Sequence, residues 1–151
     1  MSSRLVLSSW VRDVKRVIKE IVKLEKLVPG GQAIGDLTDG RKVFVWGALP
    51  GETALVRLTK LKKTHAEAIV TEVIKPSPAR IAPRDDCFLA TSPWQIMTES
   101  AESRHKVALV KEAFRQHRVE IEPNEIVSDG RYYHYRNKME YSLWWDHQTE
   151  R

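Results

Sequence analysis

Cysteine is almost absent from this chain, with Cys87 the single one among 151 residues. That excludes an intramolecular disulfide and any metal cluster held on several cysteines of this chain. Long apolar runs are missing too, and no stretch approaches the roughly 20 residues that a membrane-spanning helix requires. Glycine forms no phosphate-cradling loop, because Gly30-Gly31 and Gly35 do not fit a dinucleotide fingerprint. The histidines (His65, His105, His117, His134 and His147) are scattered without metal-ligand spacing. Asp85-Asp86 offers two carboxylates in a proline-rich stretch, where such pairs are usually just solvated. Cys87 has no identifiable base beside it in the sequence, which makes it a poor nucleophile. The expectation is that the chain contains no complete catalytic site and no metal site.

What the chain does have is the composition of a folded, soluble protein. Hydrophobic residues make up 42% and charged residues 30%, with a net charge of +5. The excess of positive charge favours polyanionic partners, nucleic acid or an anionic membrane surface. With no disulfide framework and no spanning segment, the expected compartment is the cytoplasm, with no membrane partner. Residues 1–19 carry Arg4, Arg12, Lys15, Arg16 and Lys19 against Asp13, and Val11, Val14 and Ile18 fall at helical spacing. Two readings stand, an organelle-targeting peptide and a short amphipathic helix or extension, and the second is preferred.

From Glu20 onward the pattern changes to alternation interrupted by turns. Ile21–Val28 is strand-like and stops at Pro29-Gly30-Gly31; Ala33–Thr38 follows, then the tight-turn pair Asp39-Gly40. Arg41–Trp46, Thr53–Leu61 and His65–Lys75 complete the set, with Leu55, Val56 or Leu58, and Leu61 as the expected inner face of the fourth run. Five short strands in so small a space predict a mainly β fold built on a closed, five-stranded, OB-like antiparallel barrel. Residues 79–98 read as a proline-rich linker. Thr98 is placed as the N-cap of a helix from Glu99 to about His117, with Val107, Val110 and Phe114 on one face. Tyr132–Trp145 is aromatic-rich and reads as a strand or hairpin opened by Asp129-Gly130. The expected division is an N-terminal helix or extension over 1–19, a barrel over 20–78, the linker over 79–98, and a partial α/β segment over 99–151.

The strongest functional feature is a basic cluster of Arg57, Lys60, Lys62, Lys63 and His65, which spans the turn between the fourth and fifth strands. Together with Arg41 and Lys42 it forms one basic face of a small barrel, suited to phosphates but blind to sequence. A solvated hairpin tip that happens to be basic is the competing reading. Trp46 precedes a Gly-Ala-Leu-Pro-Gly turn and is a candidate to stack an unpaired base, although tryptophans in small barrels are more often partly core. Trp144 and Trp145 point to opposite faces if they lie in a strand, so one of them needs a cover.

These residues resemble a known family. Lys26-Leu-Val-Pro-Gly-Gly-Gln-Ala-Ile-Gly35, then Asp39-Gly-Arg-Lys-Val-Phe-Val45 and Gly47-Ala-Leu-Pro-Gly-Glu52, look like the TRAM domain that opens the tRNA and rRNA uracil-5-methyltransferases. The likeness continues through Ala66-Glu-Ala68 and Val73-Ile-Lys-Pro-Ser-Pro78. Beyond the barrel, Ser92-Pro-Trp-Gln95, Val110-Lys-Glu-Ala-Phe114 and Tyr135-Arg-Asn-Lys-Met-Glu-Tyr-Ser142 are similar to the start of that family's central domain. The resemblance implies an RNA partner, tRNA or rRNA, and a reaction in which a cysteine adds to uracil and a methyl group passes from S-adenosylmethionine. Many members also hold an iron–sulfur cluster on four cysteines, a set that Cys87 alone cannot supply. The family's catalytic domain would lie beyond Arg151, so no cofactor is expected in this chain. Arg136 sits in the best-matched motif and reads either as an RNA contact or as a structural ion pair.

The expected function is the RNA-binding N-terminal region of an S-adenosylmethionine-dependent RNA (uracil-5-)-methyltransferase. RNA contacts are assigned to Arg41, Lys42, Trp46, Arg57, Lys60, Lys62, Lys63, His65 and Arg136. Two alternatives remain. One is a free-standing RNA-binding adaptor; the other is an interaction module that docks a protein, or a missing catalytic domain, through its Trp144-Trp145 end.

Overall fold

The computed structural model describes residues 17–135 together with 138, 140 and 145. Residues 1–16 of the expected N-terminal helix or extension (1–19), Arg136 and Trp144 lie outside the described residues. Five strands form a closed barrel in the order β1-β2-β3-β5-β4. They are β1 Lys19–Leu27, β2 Ala33–Asp36, β3 Lys42–Trp46, β4 Thr53–Leu61 and β5 His65–Lys75.

Each strand is written by alternation, with corrections where the backbone bulges. In β1, Val22 and Leu24 point inward at 1% exposure, and a bulge between Leu24 and Lys26 then brings Leu27 inside instead of Lys26. β2 can lie close against β1 only because Gly35 has no side chain, since a Cβ there would sit 2.4 Å from the Lys23 carbonyl oxygen. The Leu37–Arg41 turn closes through the Leu37 N–H donating to the Arg41 carbonyl, with Gly40 at φ 83.

Four of the five strand pairs are antiparallel, and β3 runs parallel to β5. A wholly antiparallel barrel is geometrically impossible here. Directions that alternate around a closed ring require an even number of strands, so five strands must place one pair in parallel. The expected antiparallel barrel is therefore corrected at that one interface, which forms when β4 crosses back to close on β1.

The lumen of so narrow a barrel favours small side chains. Ala54, Val56, Ala66 and Ala68 line it from β4 and β5, against Val43 and Val45 from β3. Leu55 lies outside this inner face and Leu61 is 48% exposed, contrary to expectation. The register shift between Leu58 and Lys60 leaves Thr59 as an extra residue on β4, whereas the shift at Leu55 and Val56 falls on β5 at Thr71. Ala48 and Leu49, in the turn after β3, are buried and stop one end of the barrel.

The stretch 79–98 is tied to the barrel at its two ends, while most of residues 81–92 are exposed. Arg80 bridges Met97, Ile81 N–H donates to the Ile96 carbonyl, and Thr98 N–H donates to the Ala79 carbonyl. A short helix, α1 (Phe88–Thr91), and a 3-10 turn (Pro93–Ile96) lie between them. Ile96 and Met97 join the barrel core, and this apolar burial is what holds the stretch in place.

The helix α2 runs Glu99–Gln116, with Thr98 at its N-cap position but without a side-chain capping bond. Glu99 and Glu102 sit in the first turn, where they complement the positive end of the helix dipole. Ala101 is its buried contact with the core. The apolar face expected to pack is turned away, with Val110 and Phe114 exposed at 43% and 45%. The stripe toward β1 is His105, Leu109 and Glu112, and Lys26 reaches Glu112 at 3.2 Å. Tyr132–Tyr135, expected to begin a strand, has irregular backbone.

Candidate nucleic-acid interface

The β4–β5 turn brings the basic cluster together. Lys62 N–H donates to the His65 carbonyl at 2.9 Å, closing a tight connection whose tip is Lys63-Thr64. The Arg41 guanidinium crosses from the β2–β3 turn and donates to the Lys62 carbonyl at 2.9 Å. Asp39 holds the same guanidinium through its carboxylate and also accepts the Arg41 backbone N–H. This hydrogen bonding holds the Asp39 carboxyl below its ordinary range and Arg41 above its own. Arg41 therefore joins two turns of the barrel, and its charge is already engaged.

The other cations are paired to different degrees. Lys42 lies between Asp36 at 2.9 Å and Glu25 at 3.5 Å, and the hydrogen bond to Asp36 raises its pKa above the usual lysine value. Lys60 and Lys62 converge on Glu67, at 3.2 and 4.0 Å. Lys63 and Arg57 are exposed and have no carboxylate within ion-pair distance among the described residues. Exposed pairs of this kind contribute little in water, so a phosphate can replace the carboxylate at small cost. Among these residues the cations outnumber the carboxylates paired with them.

Trp46 stands apart from that cluster. It is at the far end of β3 from Lys42, half-buried beside Gly31, where Pro93 and Trp94 also close in. The Trp94 indole N–H donates to the Gly31 carbonyl at 3.2 Å. Trp46 is thus mainly packed under the segment that follows the barrel.

Sequence reasoning passed over Phe44, which lies on the outer side of β3 with Lys42 and Trp46. It meets His65 edge-on, with centroids 5.7 Å apart and planes at 88°. The signal was available, because Val43 and Val45 must both face the lumen and leave Phe44 outside between Lys42 and Trp46.

Also unanticipated is Glu52, buried at 0% exposure directly after the Pro50-Gly51 turn. One carboxylate oxygen accepts from Ser77 N–H at 3.1 Å and Arg80 Nε at 2.5 Å. The other accepts from Leu49 N–H at 2.8 Å and Arg80 Nη2 at 2.7 Å. Burial by itself would raise the pKa of this carboxyl, but Arg80 and the two backbone donors outweigh it and the net shift is downward. Arg80 also donates to the Gly47 carbonyl, so one ion pair fastens the β3–β4 turn to the chain leaving the barrel.

The remaining candidates stay dispersed. Cys87 is exposed, and among the described residues no group of three or more His, Cys, Asp or Glu side chains is placed to hold a metal. Gly30-Gly31 leads into β2, not into a helix, and Gly31 is closed over by Pro93 and Trp94. These residues do not fit a cofactor cradle. His105 lies on α2, where burial and then the charge of Arg104 hold its imidazole below the usual value. No described helix is long and apolar enough to cross a membrane.

Comparison with known proteins agrees with this architecture. Residues 18–71 match the TRAM domain, the stretch that forms β1 to β4 and most of β5. An RNA methyltransferase of Gloeobacter violaceus, described as uncharacterized, is 34% identical over 129 residues, covering 81% of this chain and 28% of that protein. One from Thermotoga maritima is 28% identical over 124 residues, with the same two coverages of 81% and 28%. A 23S rRNA (uracil(1939)-C(5))-methyltransferase of Dichelobacter nodosus is 54% identical over 46 residues, 30% of this chain and 11% of its own length. The chain spans less than a third of the length of these relatives. Its residues 18–71 are a TRAM domain, and about four-fifths of its length is similar to proteins named as RNA methyltransferases.

Proposed function

We propose that this chain is the RNA-binding region of an S-adenosylmethionine-dependent RNA (uracil-5-)-methyltransferase, acting on tRNA or rRNA in the cytoplasm. The observation that carries the proposal is the basic β4–β5 turn on a TRAM barrel, with Lys60, Lys62 and Lys63 presented together and held in place by Arg41. Lys42, Arg57 and His65 extend the same face, and all of these residues engage backbone phosphates. Trp46 serves mainly as packing, and Arg136 adds an RNA contact from the second segment. The barrel (20–78) supplies affinity, and the segment from 99 onward helps present the target uridine to a catalytic domain elsewhere in the protein. Cofactor binding and the reacting cysteine belong to that other domain.

Phosphate recognition of this kind releases counterions, so affinity falls steeply with salt. Fluorescence anisotropy with a structured, uridine-containing RNA and a DNA duplex of equal length, across a salt series, tests the reading. It expects micromolar binding to RNA with a steep salt dependence. Salt-insensitive binding to protein partners in place of RNA would favour the docking-module alternative.

A further inference from the structure

The phosphate-binding face leaves one part of the outer sheet without a role. Because Val43 and Val45 are fully buried, Phe44 and Trp46 must face outward along β3. Ile34 lies beside Phe44 in the register, and Ile69 lies beside Trp46. An apolar strip therefore runs over the outside of the barrel, where solvated side chains are the norm for a one-sided sheet. Its Trp46 end is covered by the Gly31, Pro93 and Trp94 packing. Its Phe44 end is not part of the hydrophobic set packed against the core, and its aromatic neighbour is His65.

Cations, paired with Asp36 and Glu67, border that half-buried end. Lys42 precedes Phe44 by two residues on the same face of β3, roughly 7 Å along the strand. Lys60 lies across β5, as the partner of Glu67, which is itself the partner of Phe44. Lys62 and Lys63 follow at the turn that leads into His65.

We propose that Phe44, buttressed by the edge of His65, is a stacking platform for one unpaired RNA base, with Lys42 and Lys60 taking the phosphates to either side. The inference rests on the RNA-binding reading above and narrows its ligand to RNA carrying an unstacked base. A lysine rim alone holds the phosphates of any strand, paired or not. An aromatic face rewards only a base that is free of its own stack, because duplex bases already cover one another. A face with both features therefore prefers single strands. The cationic rim is what selects nucleic acid over an apolar protein patch as the occupant.

The test uses the full chain and anisotropy with two RNAs of equal length, an unstructured single strand and a perfect duplex. Phe44→Leu retains apolar bulk but removes the ring face. It is expected to weaken single-strand binding on the order of tenfold, leaving duplex affinity and the salt slope unchanged. Phe44→Tyr, which restores a ring, is expected to bind as the wild type does, separating lost stacking from lost folding. Lys60→Ala, in contrast, should weaken both RNAs and flatten the salt slope. Equal losses on both RNAs in Phe44→Leu, or a Phe44→Leu protein that binds like the wild type, overturn the platform and leave phosphate binding standing. A wild-type chain that binds neither RNA at low salt overturns both readings.

Discussion

Replacing Glu52 by glutamine changes one atom in a side chain of nearly the same shape, yet it should be among the most damaging single substitutions in this protein. The carboxylate is fully buried and accepts four hydrogen bonds, two from Arg80 and one each from the Leu49 and Ser77 amides. A glutamine amide nitrogen in place of either oxygen would face two donors with a third. The Arg80 charge would also lose its counterion while its side chain is only 20% exposed. Removing one member of a buried pair costs about 3–5 kcal/mol, and the partial exposure of Arg80 places this case near 3. For a chain of this size that corresponds to a fall of roughly 10 °C in Tm.

Urea denaturation followed by far-ultraviolet circular dichroism gives the difference directly, provided the m-value is unchanged. The pH dependence gives a second handle. Because the folded pKa of Glu52 lies below its ordinary value of 4.5, the pair stabilises fully above that pH and progressively less as the carboxylate protonates in acid. The gap between wild type and Glu52→Gln should therefore narrow below pH 4.5. Replacing the pair together, Glu52→Leu with Arg80→Met, should recover much of the loss, because two apolar side chains leave no stranded charge. A Glu52→Gln loss under about 1 kcal/mol at neutral pH, or a gap that persists in acid, would refute the reasoning.

Two further substitutions test the packing. Gly35→Ala forces a Cβ against the Lys23 carbonyl at 2.4 Å, where backbone must shift, and should destabilise the barrel by about 2–3 kcal/mol in the same urea assay. Ile96→Ala removes a residue exposed by only 1% from the segment after the barrel, and should cost about 2–5 kcal/mol in one cooperative transition. A separate, low-stability transition for that segment would show that it folds independently of the barrel.

The barrel was legible because its signals are local. Pro29-Gly30-Gly31, Asp39-Gly40 and Pro50-Gly51 mark the turns, and strict alternation such as Lys42–Trp46 marks the strands between them. What escaped depends on closure and on long-range partners. The parallel β3–β5 pair follows from an odd strand number, not from any residue. On β4 the buried pair is Ala54 and Val56, so Leu55 falls between them on the outer side, and Leu61 lies at the exposed end of the strand. Glu52 looked like an ordinary turn residue, since its partner Arg80 is 28 positions away. On α2, the apolar spacing of Val107, Val110 and Phe114 is real, but Ala101 joins the core and Glu112 pairs with Lys26 of β1 instead. The basic cluster was visible in the sequence as a run of like charge. Its partial neutralisation by Asp36, Asp39 and Glu67 was not, because those pairings form across strands and turns.

The most direct test of the RNA-clamp reading is the salt dependence of RNA binding by the wild type and by Lys60→Ala/Lys62→Ala/Lys63→Ala. Each phosphate contact with a single strand contributes about −0.7 to the slope of log affinity against log salt. Three lysines acting on phosphates should make the variant's slope shallower by about 2, with weaker binding at every salt concentration. Identical slopes for the two proteins, or no RNA binding by the wild type at low salt, would contradict it.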